Sequence, residues 1–254
     1  MREVLIDQAG RFAAERYPDA SAVVLAGSVA AGRARAGSDL DLAVLLPDGR
    51  ETHRETLRHE GRVVEVFAHT RAGLAELRVF DAASRRGVVQ QLYATGLVLL
   101  DRDGHAARIV ADCRDELLTG PPPLGAEQRE NLRYALTDLL DDLGDAPDRL
   151  EALAIGAEVL RTAADLLSDH HRAWTGTGKW FPRRLLAADP DLGGRLLEAH
   201  RALCESGDPT ALGAAATAVL DLAGGPLSAG YHRGWPPAAR GATPGSRQEL
   251  SSAP

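Results

Sequence analysis

Two aspartates one residue apart, Asp39 and Asp41, follow a stretch of small residues that opens with Gly27 and Ser28. In an extended strand side chains alternate, so Asp39 and Asp41 project from one face while Leu40 and Leu42 turn into the core. Two carboxylates about 6 Å apart repel by roughly 3 kcal/mol at an effective dielectric near 20. Unless a cation sits between them, one tends to stay protonated. Hard oxygen donors in a partial cluster suit Mg²⁺, which takes one or two protein carboxylates and fills its remaining positions with water and phosphate oxygens. Glu65, inside the otherwise apolar run Val63 to Ala68, is the natural third carboxylate. A charge at that place is expensive without a metal or a basic partner. A glycine at a strand-to-turn junction lets backbone N–H groups approach phosphate, and a hydroxyl adds a donor, so Gly27 and Ser28 read as a phosphate cradle.

Lys179 is the only lysine among 29 basic residues. Ala, Gly, Arg and Pro are all abundant, which is the mark of a codon bias, so the arginine excess is not functional evidence in itself. Lys179 lies in the turn-rich stretch Thr175 to Pro182, and its compact point charge suits terminal phosphates. The full glycine-lysine-serine spacing of a phosphate-binding loop is absent, and no strand precedes it. Trp180 and Phe181 beside it read equally well as core anchors, and Arg33 and Arg35 as a solvated loop. The eight histidines show no shared metal spacing. Cys113 and Cys204 lie far apart, which suggests neither a disulfide framework nor a structural zinc site.

The elements that must position these residues are legible in outline. A helical stripe runs over Glu3 to Arg16. Short apolar runs at Ser21 to Ala26, Asp39 to Leu46 and Val63 to Ala68 predict strands, bounded by Gly27-Ser28 and by Pro47-Asp48-Gly49. Val88 to Leu100 reads as a helix ending in a short apolar run, and Ala106 to Leu118 as a helix. Pro121 to Pro123 forbids helix continuation and marks a boundary. Beyond it the pattern is helical: a leucine stripe from Leu132 to Leu143, a nearly all-apolar helix at Ala152 to Leu167, and further helices near Leu185 to Leu203 and Thr210 to Leu222. The expected organisation is an α+β domain over 1–120, a helical bundle over 124–223, and a Gly/Pro/Ser-rich disordered tail over 224–254.

The chain has 254 residues, 44% apolar and 26% charged, with a formal net charge of -7. That balance argues against gripping nucleic acid by bulk positive charge. No apolar run reaches the roughly 18–20 residues of a membrane span, and the first residues lack a signal peptide's apolar stretch, so the cytoplasm is the expected compartment.

Taken in order, Gly27, Ser28, Gly32, Ser38, Asp39, Asp41 and Leu42 resemble the signature of nucleotidyltransferases of the DNA polymerase β superfamily. Glu65 extends the match, although the family often has aspartate there and arginine at the position of Ala31. The resemblance implies a mixed sheet flanked by helices, with two Mg²⁺ ions on Asp39 and Asp41 assisted by Glu65. ATP would bind at Gly27, Ser28 and Ser38, with Lys179 on its phosphates. It further implies transfer of AMP to an acceptor hydroxyl with release of pyrophosphate. The two-domain layout resembles aminoglycoside nucleotidyltransferases, in which a carboxylate of the helical domain can be the base. The acidic side of the first bundle helix, Asp138, Asp142 and Asp145, reads either as a solvated face or as a cleft wall, and Asp138 is the expected base. The partners implied are a nucleoside triphosphate and a small-molecule acceptor, with a homodimer left open. The alternatives are an antitoxin-type enzyme that modifies a protein and a nucleotide-binding module without turnover.

Overall fold

Ala22–Leu25 (β1) is apolar at every position and buried at every position, as the centre of a sheet requires. In the computed structural model, which describes residues 1–234, β1 pairs on one side with Leu40–Leu45 (β2) and on the other with Leu97–Asp101 (β5), both antiparallel. Arg62–His69 (β4) runs parallel to β2 and is edged by His53–His59 (β3), giving the order β3-β4-β2-β1-β5. The sheet is thus mixed, with β2 and β4 as its parallel pair.

Helix α1 (Arg2–Arg16) lays Leu5, Ala9 and Phe12 on one face of the sheet against Leu25, Leu40 and Leu42. The opposite face, carrying Val24, Ala43 and Leu45, is covered by α3 (Arg71–Ala83), α4 (Val88–Ala94) and α5 (His105–Thr119) through Leu74, Tyr93 and Cys113. A single turn, α2 (Gly27–Ala30), joins β1 to the loop before β2.

After residues 120–125, helices take over: α6 (Ala126–Asp145), α7 (Arg149–His170), α8 (Trp180–Ala188), α9 (Leu192–Ser206) and α10 (Thr210–Leu222). Their leucines form a separate core around Leu136, Leu143, Leu167, Leu196 and Leu203, with α7 packed on α6, α9 and α10. Where one helical stretch was expected over Leu185 to Leu203, two form. Pro190 cannot continue α8, and Asp189 caps the next helix by accepting the N–H groups of Asp191 and Leu192 at 3.0 and 2.9 Å. The tail expected from residue 224 does not start as a free segment. Arg133 donates to the carbonyls of Gly225 and Gly224 at 2.9 and 2.8 Å, Tyr231 stacks on Tyr134 with ring centroids 4.0 Å apart, and its hydroxyl donates to Asn131. The part of that expectation covering Ala238 to Pro254 lies outside the described residues. Among the described residues, no helix is long and apolar enough to cross a membrane.

Candidate active site

The site is assembled where the end of β1 lies beside the start of β2. Ala26 N–H donates to the Asp41 carbonyl at 2.8 Å, extending the ladder one step past β1. Gly27 then turns the chain with φ +65°, a left-handed conformation that favours glycine. A Cβ on Gly27 would lie 1.8 Å from Asp41 Oδ2, so glycine is required here twice over: for the turn and for the carboxylate packed against it. Among the described residues the buried Ser28 Oγ has no hydrogen-bond partner. An orphaned buried hydroxyl is costly, and here it follows directly on the glycine packed against Asp41.

The second approach to the site is the turn before β2. Arg35 N–H donates to Ser38 Oγ at 2.8 Å while Ser38 N–H donates back to the Arg35 carbonyl at 3.0 Å. Arg62 of β4 clamps this turn by donating to the carbonyls of Ala36, at 3.1 Å, and Ser38. Ser38 is therefore placed as a turn residue that delivers Asp39 to the strand; in this arrangement its oxygen is spent on the backbone. Leu40 and Leu42 are fully buried and Asp39 and Asp41 half-buried, the alternation expected.

Parallel pairing sets Asp41 directly beside Glu65. The Asp41 carboxyl is pushed up to about 6, first by burial and then by the charges of Asp39 and Glu65, while Lys179 and Arg54 pull it down. Lys179, exposed in the segment ahead of α8, thus brings a positive charge from the helical half to the carboxylates. Asp138 is exposed on α6, off the leucine stripe buried on α7 and α10, and among the described residues its side chain makes no hydrogen bond or ion pair.

Glu65 has found a basic partner. Arg54 Nη2 lies 2.8 Å from Glu65 Oε2, and the guanidinium sits over the Phe67 ring at 4.8 Å. Among the described residues, no group of three or more His, Cys, Asp and Glu side chains is gathered to hold a metal ion. Of the expected carboxylate set of Asp39, Asp41 and Glu65, Glu65 is paired with Arg54 in this arrangement. Asp39 and Asp41 fit a hard divalent cation: two carboxylate donors leave coordination positions for water and phosphate. Sequence reasoning missed Arg54. The one available signal was the strand-like alternation of His53 to His59 beside a strand that carries a lone charge.

Residues 6–83 match the family model described as a nucleotidyltransferase domain, a stretch running from α1 to the end of α3. The search of curated proteins finds no match. Among solved structures, the chain is similar to a nucleotidyltransferase-like protein from Exiguobacterium sibiricum 255-15. The two are 13% identical over 86% of this chain and 74% of that one, with a TM-score of 0.44. Gly27, Ser28, Asp39, Asp41 and Glu65 all lie within the matched stretch 6–83.

Proposed function

We propose that this site binds a nucleoside triphosphate with Mg²⁺ and transfers its nucleoside monophosphate, AMP from ATP, to a hydroxyl of a small-molecule acceptor. The observation that carries the reading is the packing of the Gly27 turn against the Asp41 carboxylate, with Ser28 Oγ left unpartnered beside it. Gly27 and Ser28 offer donors to phosphate oxygens, and Asp39 and Asp41 hold the cations. Divalent ions bound there would neutralise the triphosphate and the entering and leaving oxygens of an in-line displacement. Lys179 contributes a point charge to the terminal phosphates, which leave as pyrophosphate. Arg54 keeps Glu65 neutralised until a cation competes for it. An aminoglycoside-like, polycationic acceptor is the class to screen first, since the chain carries a net charge of -7.

The test is pyrophosphate release from ATP and Mg²⁺ against a panel of aminoglycosides, neutral polyols and host proteins, with mass analysis of each acceptor. The reading expects a small molecule heavier by one nucleoside monophosphate, with Asp41→Asn inactive. A heavier protein in place of the small molecule would overturn the acceptor class. Equal turnover by Asp41→Asn would overturn the site.

A further inference from the structure

Lys179 is carried on the helical half of the chain yet acts on Asp41 of the sheet, so something holds the two halves in register. Several bonds cross between them, including Arg184 Nη2 to Gln91 Oε1 at 2.9 Å, and the most buried of them centre on one arginine, Arg85. Asp81 organises the turn after α3: its Oδ2 accepts Val89 N–H at 2.6 Å, and its carbonyl accepts Arg86 N–H and Ser84 Oγ. Arg85 is thereby placed in the left-handed region, φ +59°, a conformation rare for a residue with a side chain. The residue is 6% exposed, and its guanidinium reaches Asp169 Oδ1 at the end of α7 at 3.2 Å and donates to the carbonyls of Pro122 and Ser168. Its own carbonyl accepts both the N–H and the hydroxyl of Thr175, at 2.7 and 3.1 Å. One residue of the catalytic domain therefore grips the inter-domain linker, the end of α7 and the strap that follows it.

The strap is tightly seated. Trp174 Nε1 donates to the Leu117 carbonyl at 3.0 Å, and a Cβ on Gly87 would lie 2.7 Å from the Trp174 ring. From Thr175 to Lys179 the path is fixed as well. Trp180 N–H donates to the Thr177 carbonyl and Phe181 N–H to the Gly178 carbonyl, and a Cβ on Gly176 would meet the Trp180 backbone at 2.7 Å. Movement of Thr175 is thus passed to Lys179 four residues later.

We infer that Arg85 is a positioning residue: by holding Thr175 and Asp169 it fixes the 175–179 turn that carries Lys179 relative to the sheet half of the chain. Its consequence for nucleotide affinity rests on the function proposed above, but the positioning itself is testable without nucleotide.

Because Lys179 is the only lysine, reductive methylation with ¹³C-formaldehyde labels it and the N-terminal amine alone. The shift of the dimethyl-Lys179 resonance caused by Asp41→Asn is compared in the wild-type and Arg85→Gln backgrounds. The expected result is a clear shift in the first and less than a third of it in the second, both proteins being folded by circular dichroism. In parallel, Arg85→Gln should weaken binding of a non-hydrolysable ATP analogue at least fivefold, and Arg85→Gln/Lys179→Ala should bind no more weakly than Lys179→Ala. Should Arg85→Gln not fold, Thr175→Val carries the same comparison, since it removes one bond to the Arg85 carbonyl and keeps the buried guanidinium; a smaller Asp41→Asn shift is again expected. An Asp41→Asn shift undiminished in the variant background overturns the inference, as does a wild-type Lys179 resonance that ignores Asp41→Asn. Absence of analogue binding to the wild type would instead count against the proposed function and leave the resonance comparison to decide on Arg85.

Discussion

Replacing Gly27 with alanine separates the two demands that the Gly27 turn meets. The first is conformational: at φ +65° an L side chain costs roughly 1–2 kcal/mol, which lowers the Tm of a chain of this size by about 2–4 °C for each kcal/mol. The second is steric, because the new Cβ would lie 1.8 Å from Asp41 Oδ2 and the carboxylate has to retreat by about 1 Å or more. A displacement of that size at a reacting centre costs roughly 100-fold in rate, and a loss of the same order is expected in metal-nucleotide affinity. Gly32→Ala is the control: Gly32 has φ +69° but nothing within 4 Å of an added Cβ, so it pays the first cost alone. The assay is the rise in Tm on adding Mg²⁺ and a non-hydrolysable ATP analogue at 100 times the wild-type Kd. Wild type and Gly32→Ala should each gain about 2.7 kcal/mol from the ligand, whereas a site weakened 100-fold gains only about 0.4 kcal/mol. Equal ligand-induced shifts in Gly27→Ala and Gly32→Ala would refute the claim that the glycine turn is built around Asp41.

Asp41 has a folded-state pKa raised to about 6 from 3.8, so the folded chain holds a proton that the unfolded chain releases first, and stability without metal falls as pH rises from about 4 to 6. Asp41→Asn should abolish that fall and, after allowance for solvent screening, melt about 2–4 °C above wild type at pH 7, as melts across pH 4–8 in chelator would record. Arg54→Ala should free Glu65 and tighten Mn²⁺ binding severalfold in a calorimetric titration without nucleotide; an unchanged Kd would mean that the ion pair does not compete with metal. Tyr231→Ala removes a stacked ring and a hydrogen bond to Asn131, about 1–2 kcal/mol together, and should lower Tm by several degrees while leaving nucleotide binding intact.

What could be read in the sequence follows from how local its cause is. β1, β2 and β4 announce themselves because buried strands are apolar runs closed by turn residues, and the Gly27 to Leu42 motif is contiguous, so its geometry is set over a short span. β3 was not legible. As an edge strand it buries little, and its alternation is of half-buried His53, Glu55, Leu57 and His59 with exposed Arg54, Thr56 and Arg58, which reads as a polar loop. α3 was missed for a similar reason, with only Leu74 and Asp81 buried along its length. Lys179 stands out as a compositional singleton, but its turn is tied to the sheet half by the grip of Arg85 on Thr175 and Asp169, across 90 and 84 positions of sequence, and no local pattern encodes that. Glu65 shows the limit from the other side. Its strand signalled that a charge needed a partner, and a metal and an arginine satisfied that need equally until β3 placed Arg54 beside it.

The central claim, a metal-nucleotide site built on Asp39 and Asp41, is tested most directly by calorimetric binding of a non-hydrolysable ATP analogue with and without Mg²⁺. The comparison is between wild type and Asp39→Asn/Asp41→Asn. The account predicts Mg²⁺-dependent binding to the wild type that the double variant loses. Binding absent from the wild type, or equal in the double variant with Mg²⁺ present, would contradict it.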